Sequence, residues 1–219
     1  MFKTRFLPRL FVAALLLAPI AAAPVHAQTM TPASDMPAGE YVLDKNHASL
    51  IWQVSHAGLT NYAARFTKFD ATLTFNPKDP TQSKLVATVD PLSIQTDYVA
   101  GERDFNKELS TDAKWFNAAK FPTIRFESTK IEKTGDNTGK IHGNLTLLGV
   151  TKPLVLDAVF NGAYAEQPFS KQPTLGFSAT GKLTRSDWGL DTYTPLIGDT
   201  VTLRIEAELA KAAKTEAAK

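Results

Sequence analysis

The 219-residue sequence predicts an all-β fold, an eight-stranded antiparallel barrel with one helical insertion at about residues 97–120, occupying residues 40–210. Three observations predict it. Apolar and polar residues alternate with period two through eight short runs. Turn residues punctuate those runs, and a single interval lacks the alternation. Small residues recur on the apolar faces, at Ala71, Ala87, Gly143, Ala158, Ala179, Gly181 and Ala207, where a sandwich core would normally place bulk.

Residues 1–27 precede the fold and read as a cleaved signal peptide. Lys3, Arg5 and Arg9 form a positive end, Leu10 to Ala18 an apolar run, and Val25-His26-Ala27 a small-residue cleavage site. Residues 28–39 are rich in Pro, Ser and Thr and read as a flexible leader. Without the three leading basic residues the formal net charge falls from +2 to −1, so the surface has no electrostatic pull toward nucleic acid. The chain has no cysteine, so an exported product must stand on its packed core instead of disulfides.

The first strand carries Leu50, Trp52, Val54 and His56 on one face, with Ile51, Gln53 and Ser55 on the other. Phe69, Ala71, Leu73 and Phe75 follow, closed by the turn Asn76-Pro77-Lys78-Asp79-Pro80. Leu85, Ala87 and Val89 make the third strand. The interval Asp97 to Lys120 places Phe105 and Leu109 four apart and offers Asp97 as an N-cap, so it reads as a helix with a further helical turn near Ala113 to Phe116. Phe121-Pro122 ends it. Ile124, Phe126 and Ser128, then Ile141 to Leu147, Leu154 to Phe160, Leu175 to Leu183 and Val201 to Ala207 complete the eight. Residues 211–219 form a polar tail.

Closure would remove exposed sheet edges, and eight strands enclose a space about wide enough for one slender ligand. The alternative is a packed core with ordinary large–small alternation and no ligand. The inward residues Leu50, Trp52, Val54, His56, Phe69, Leu73, Phe75, Ile124, Phe126, Leu145, Leu147, Leu156, Phe160 and Phe177 are the candidate ligand-binding set, with His56 at one rim as a donor to a headgroup. His47 and His56 are nine apart, so on one continuous strand they face opposite sides about 30 Å apart and cannot chelate one ion. His142 lies alone on the outward face.

Other chemistry is thin. GFSATG at Gly176 to Gly181 misses the nucleophile-elbow spacing and lies inside a strand. There is no phosphate-cradling loop, no zinc or calcium spacing and no dinucleotide fingerprint. Asn144-Leu145-Thr146 is a glycosylation sequon within a strand. No catalytic residue, metal ligand or cofactor is expected.

An ordered set of motifs resembles the YceI-like family of secreted bacterial proteins. It comprises Asp44 and His47 with the alternation to His56, RFTKFD from Arg65, Ser93-Ile94, Arg103-Asp104, Leu109, FPTIRFEST from Phe121, HGNLTLLGVTKPL from His142, TRSDWGL from Thr184 and the closing GDTVTLRIEAE. Singly the motifs are weak, but in order over nearly all of Tyr41 to Leu209 they are highly specific. The resemblance implies a lipocalin-like barrel, usually in the periplasm and often a homodimer, whose apolar pocket holds a polyisoprenoid lipid such as a polyprenyl or isoprenoid-quinone chain. It does not imply a catalytic residue, and the expected partners are the polyisoprenoid lipid and, transiently, a membrane. Asn61-Tyr62-Ala63-Ala64 departs from the glycine-bearing Val-Arg-Gly that many relatives carry before Arg65. Two rival readings remain: an enzyme acting on a bound quinone or lipid, with Arg103, Asp104, Arg185 and Asp187 at the barrel mouth, and a ligand-free structural or interaction module.

Overall fold

The computed structural model describes residues 29–99 and 101–213. The signal peptide expected over residues 1–27 and the end of the tail, residues 214–219, lie outside the described residues. The strands are β1 (Gly39–His56), β2 (Thr60–Phe66), β3 (Phe69–Phe75), β4 (Lys84–Val89), β5 (Ile94–Thr96), β6 (Ile124–Lys133), β7 (Thr138–Leu147), β8 (Val150–Tyr164), β9 (Thr174–Thr184) and β10 (Ile197–Lys211), with one α-helix, α1 (Phe105–Thr111). Eight of them close a ring in the order β1, β3, β4, β6, β7, β8, β9, β10, and β10 pairs back onto β1. Every pairing is antiparallel. The closed eight-stranded barrel follows from the period-two pattern, because each strand buries one face only.

Two strands lie outside that ring and outside the sequence reading. β2 pairs with the second half of β1, and β5 pairs with β2. β2 and β3 together form one long partner for β1, interrupted at Thr67-Lys68, so the wall splays at one end. Alanines on both faces of Tyr62-Ala63-Ala64 blur the alternation of β2, and β5 is too short to show any.

β1 itself is interrupted. Leu43 pairs with Leu209 and Ala48 with Ala207, which leaves an odd surplus of residues at Asp44 to His47. The bulge reverses the facing of side chains along the strand. Tyr41 and Leu43 point inward before it, and Leu50, Trp52 and Val54 after it. The β7–β8 hairpin is a two-residue turn at Leu148-Gly149, both with positive φ of 50° and 75°, the geometry whose twist matches antiparallel strands.

The helix is shorter than the sequence suggests. Asp104, not Asp97, caps it, its carboxylate accepting from Lys107 N at 2.9 Å. Ser110 and Thr111 hydroxyls both donate to Lys107 O, and Asp112 is already extended. Residues 113–116 form a turn, and α1 packs against β5 at the splayed end.

The leader expected to be flexible is seated instead. Thr31 N donates to Ala163 O at 2.8 Å and Ala165 N to Thr31 Oγ1 at 2.9 Å. Met36 is only 2 % exposed, packed among Tyr41, Leu73, Phe75, Ala163, Leu175 and Leu209. An apolar side chain placed next to a barrel end has surface to bury there, a signal that composition alone hides. Met36→Ala should lower stability by about 2–3 kcal/mol in urea unfolding, the cost of emptying a buried methionine site. At the other terminus Lys211 belongs to β10 and not to a tail, pairing with Tyr41 and placing Nζ 5.0 Å from its ring centre.

Candidate functional site

The ring encloses a chamber of about 510 Å³, within the size range of ligand cavities. Its floor is the cluster of Tyr41, Leu43, Leu73, Phe75, Leu175 and Leu209 with Met36 beneath. Burial drives the Tyr41 phenol up to about 12, and its hydroxyl still finds Pro37 O at 2.8 Å. The wall is Phe126, Leu145, Leu147, Leu154 and Leu156, backed by Trp188 and Leu190. The roof is Phe66, Ile94 and Leu109, with Trp52, Phe105, Trp115 and Phe116 against them.

Of the candidate ligand-binding residues, the structure places Leu50, Trp52, Val54, His56, Phe69, Leu73, Ile124, Phe126, Leu145, Leu147, Leu156 and Phe177 on the chamber surface. Phe75 and Phe160 are corrections. Phe75 stacks edge-on to Tyr41 with centroids 5.9 Å apart, inside the floor, and Phe160 packs on Phe177 at 5.4 Å behind it. They face inward, but at a level where the barrel is already filled. Small residues divide in the same way. Ala71, Ala87, Ala158, Ala179 and Ala207 line the chamber, whereas a Cβ at Gly143 would fall 2.3 Å from Phe126 Cζ and one at Gly181 2.7 Å from Leu156 Cδ2, so bulky neighbours cover both glycines.

The mouth lies at the α1 end. His56 and Ile197 are paired there, with Tyr62, Tyr98, Arg103, Phe105 and Tyr193. His56 was expected at a rim and Arg103 at the mouth, but sequence reasoning missed Tyr62, Tyr98, Phe105, Tyr193 and Ile197, because they converge from β2, the insertion and the segment leading into β10, which no local period connects. It also passed over Val201, Leu203 and Ile205 as lining, although their alternation carries the same signal as that of β1. Around the opening, Leu59, Val99 and Leu196 are 83 %, 96 % and 63 % exposed.

Polar groups near the chamber are mostly engaged. Arg103 forms two hydrogen bonds to Glu108, at 2.7 and 2.8 Å, which hold that carboxyl below its usual range. Arg185 is 5 % exposed and, among the described residues, forms no ion pair with a carboxylate. Its guanidinium donates to the carbonyls of Leu190, Thr192, Ile197 and Gly198 and to Thr194 Oγ1, tying down the loop before β10, and burial lowers its proton affinity. Asp199 beside it accepts from Ser186 N at 2.8 Å and Oγ at 2.6 Å, which holds its carboxyl low. Three donors stand apart: Trp52 Nε1, Tyr62 Oη and Trp115 Nε1 are shielded from solvent without a hydrogen-bond partner among the described residues.

The residues that an enzyme reading would gather are employed elsewhere. Asp104 caps α1, Asp187 faces Lys152 at 3.5 Å, and the two arginines are held as described. His142 Nε2 sits 3.6 Å from Glu132 on the outer face. Asp44, His47 and Glu208 bring ligand-type atoms within 4.8 Å of one another, on the outside of the β1 bulge. There His47 Nδ1 donates to Asp44 Oδ2 at 2.9 Å, raising the imidazole's proton affinity and lowering the carboxyl's. The bulge thus groups His47 with Asp44 and Glu208, and not with His56. Among the described residues no helix is long and apolar enough to cross a membrane.

Comparison with known proteins places this geometry. The family described as YceI-like domain matches residues 41–209. Protein YceI of Salmonella arizonae is 38 % identical over 157 residues, covering 71 % of this chain and 78 % of its own. A crystal structure of Campylobacter jejuni YCEI protein superposes with a TM-score of 0.63 at 30 % identity, covering 73 % of this chain and 90 % of the other. A polyisoprenoid binding domain from Saccharophagus degradans shares the fold, with a TM-score of 0.56 at 14 % identity over 80 % of this chain and all of its own (100 %).

Proposed function

The chain belongs to the YceI-like family, and on that footing we propose that it is a periplasmic binding and carrier protein for a long isoprenoid chain, polyprenyl or isoprenoid-quinone. The observation that carries the reading is the chamber: a closed floor, a hydrocarbon lining and one mouth. The name of the Saccharophagus degradans neighbour lends support to the ligand class, and the signal-peptide pattern of residues 1–27 to the compartment.

Burying a methylene is worth roughly 0.8 kcal/mol against water, so a tail of several isoprene units has almost no free population outside membranes. Against a bilayer donor that gain nearly cancels, because the tail passes from one hydrocarbon phase to another. Loading and release then depend on modest differences in fit, which suits a carrier. Leu59, Val99 and Leu196 give the mouth an apolar rim that can touch a bilayer surface while the tail crosses. The double variant Leu59→Asp/Leu196→Asp should slow uptake of a fluorescent prenyl lipid from vesicles about tenfold or more, since charges at the rim oppose entry into the interface. Loading of detergent-dispersed lipid should change little.

The direct test is an organic extract of the purified, folded protein, measured by mass spectrometry. An isoprenoid present in near-stoichiometric amount supports the proposal. A folded protein that yields no lipid and takes none from vesicles overturns it.

A further inference from the structure

The three unpartnered donors are the least explained chemistry in the chamber. An indole N–H can only donate, and a shielded donor left without a partner costs about 1–3 kcal/mol. Trp52 and Trp115 both pack in the roof cluster, and Tyr62 lies between Trp52 and Phe105, with ring centroids 6.4 Å from each. All three side chains line the chamber at its mouth end. Among the described residues no aspartate or glutamate lines it, so a neutral acceptor meets no competing carboxylate.

The two arginines that line the chamber are already committed. Arg103 is clasped by Glu108, and Arg185 is surrounded by backbone carbonyls and Thr194. A phosphate drawn into this end would lose its water without gaining a free counter-charge. A carbonyl oxygen loses little on entry and gains hydrogen bonds that the protein otherwise leaves unmade.

Resting on the isoprenoid reading of the chamber, we infer that its mouth end selects an uncharged carbonyl head, hydrogen-bonded by Trp52, Tyr62 and Trp115, over a phosphate on the same tail. The tail occupies the chamber toward the floor, and the head stays beneath α1.

The experiment compares three probes with one farnesyl tail: a methyl ketone, the monophosphate and the headless hydrocarbon, bound to the delipidated full-length protein. The ketone should bind about three- to tenfold more tightly than the hydrocarbon for each donor engaged, and the monophosphate more weakly than the ketone. Tyr62→Phe keeps its ring, Trp52→Phe and Trp115→Phe keep an aromatic ring of smaller size, and all three delete the donors. Each should lower the ratio of ketone to hydrocarbon affinity. Each should also move the ketone's infrared carbonyl stretch back toward its value in alkane, a shift that a packing defect would not produce. Monophosphate affinity equal to that of the ketone, or a ratio and a carbonyl stretch unchanged in all three variants, overturns the inference. Hydrocarbon binding without ketone preference defeats this inference alone, whereas failure of every probe, hydrocarbon included, defeats the isoprenoid reading with it.

Discussion

Leu145→Glu protein should leave purification empty of lipid. Leu145 is 7 % exposed, on the wall between Phe126 and Leu147, and its side chain faces the chamber. A carboxylate there can be wetted by water in an empty chamber, but a hydrocarbon occupant would strip that water and leave the charge without a partner. The penalty is several kcal/mol at least, more than the small surplus by which the chamber competes with a bilayer. Mass spectrometry of an organic extract should show co-purifying isoprenoid reduced to background. Ala179→Phe offers an uncharged counterpart, because Ala179 lines the same space and a ring there takes up volume the tail would use. Lipid retained at wild-type levels by both folded variants would mean that the occupant, if any, lies elsewhere.

Arg185→Met should be the most damaging substitution for stability, with a loss of about 3–5 kcal/mol. The methionine fills much of the space, yet the carbonyls of Leu190, Ile197 and Gly198 lose their donor together, and Thr192 and Thr194 lose theirs. Arg185→Lys should recover only part of the loss, since an ammonium cannot reach acceptors spread around a planar fork. Urea unfolding of the two variants against the parent measures both effects. A loss under about 1 kcal/mol for Arg185→Met would show that water replaces the guanidinium in the loop. Hydrogen exchange should localise the damage to residues 189–198, the segment that carries Tyr193 and Leu196 at the mouth.

What could be read from the sequence is what repeats locally. The alternation from Leu50 to Val54, from Phe69 to Leu73 and from Ile141 to Leu147 reports a wall with a dry side, and it identifies the dry side correctly because one-face burial needs no knowledge of the partner strand. The same alternation cannot report depth. Phe75 and Phe160 obey the pattern as well as Leu73 and Leu156, but they lie where the barrel has narrowed onto Tyr41 and Met36. Features that depend on distant partners stayed hidden. The charge of Arg185 looks like a surface loop until its acceptors, up to thirteen residues away, are placed around it. Met36 looks like part of a leader until Ala163 and Leu175 are packed against it. Asp97 makes as good a cap on paper as Asp104, and only the docking of Leu109 under Phe66 and Ile94 decides which begins the helix.

The sealed bottom of the barrel has a kinetic corollary. A guest in a vessel with one door must back out along its own path, so every carbon added to its length adds to the barrier met in open water and almost nothing to the barrier met with the door pressed to a hydrocarbon slab. Dwell time in solution should therefore climb steeply with guest length, while hand-over on contact stays fast. In the carrier proposed above, the walls would act as a timer that runs only while the vessel is in transit.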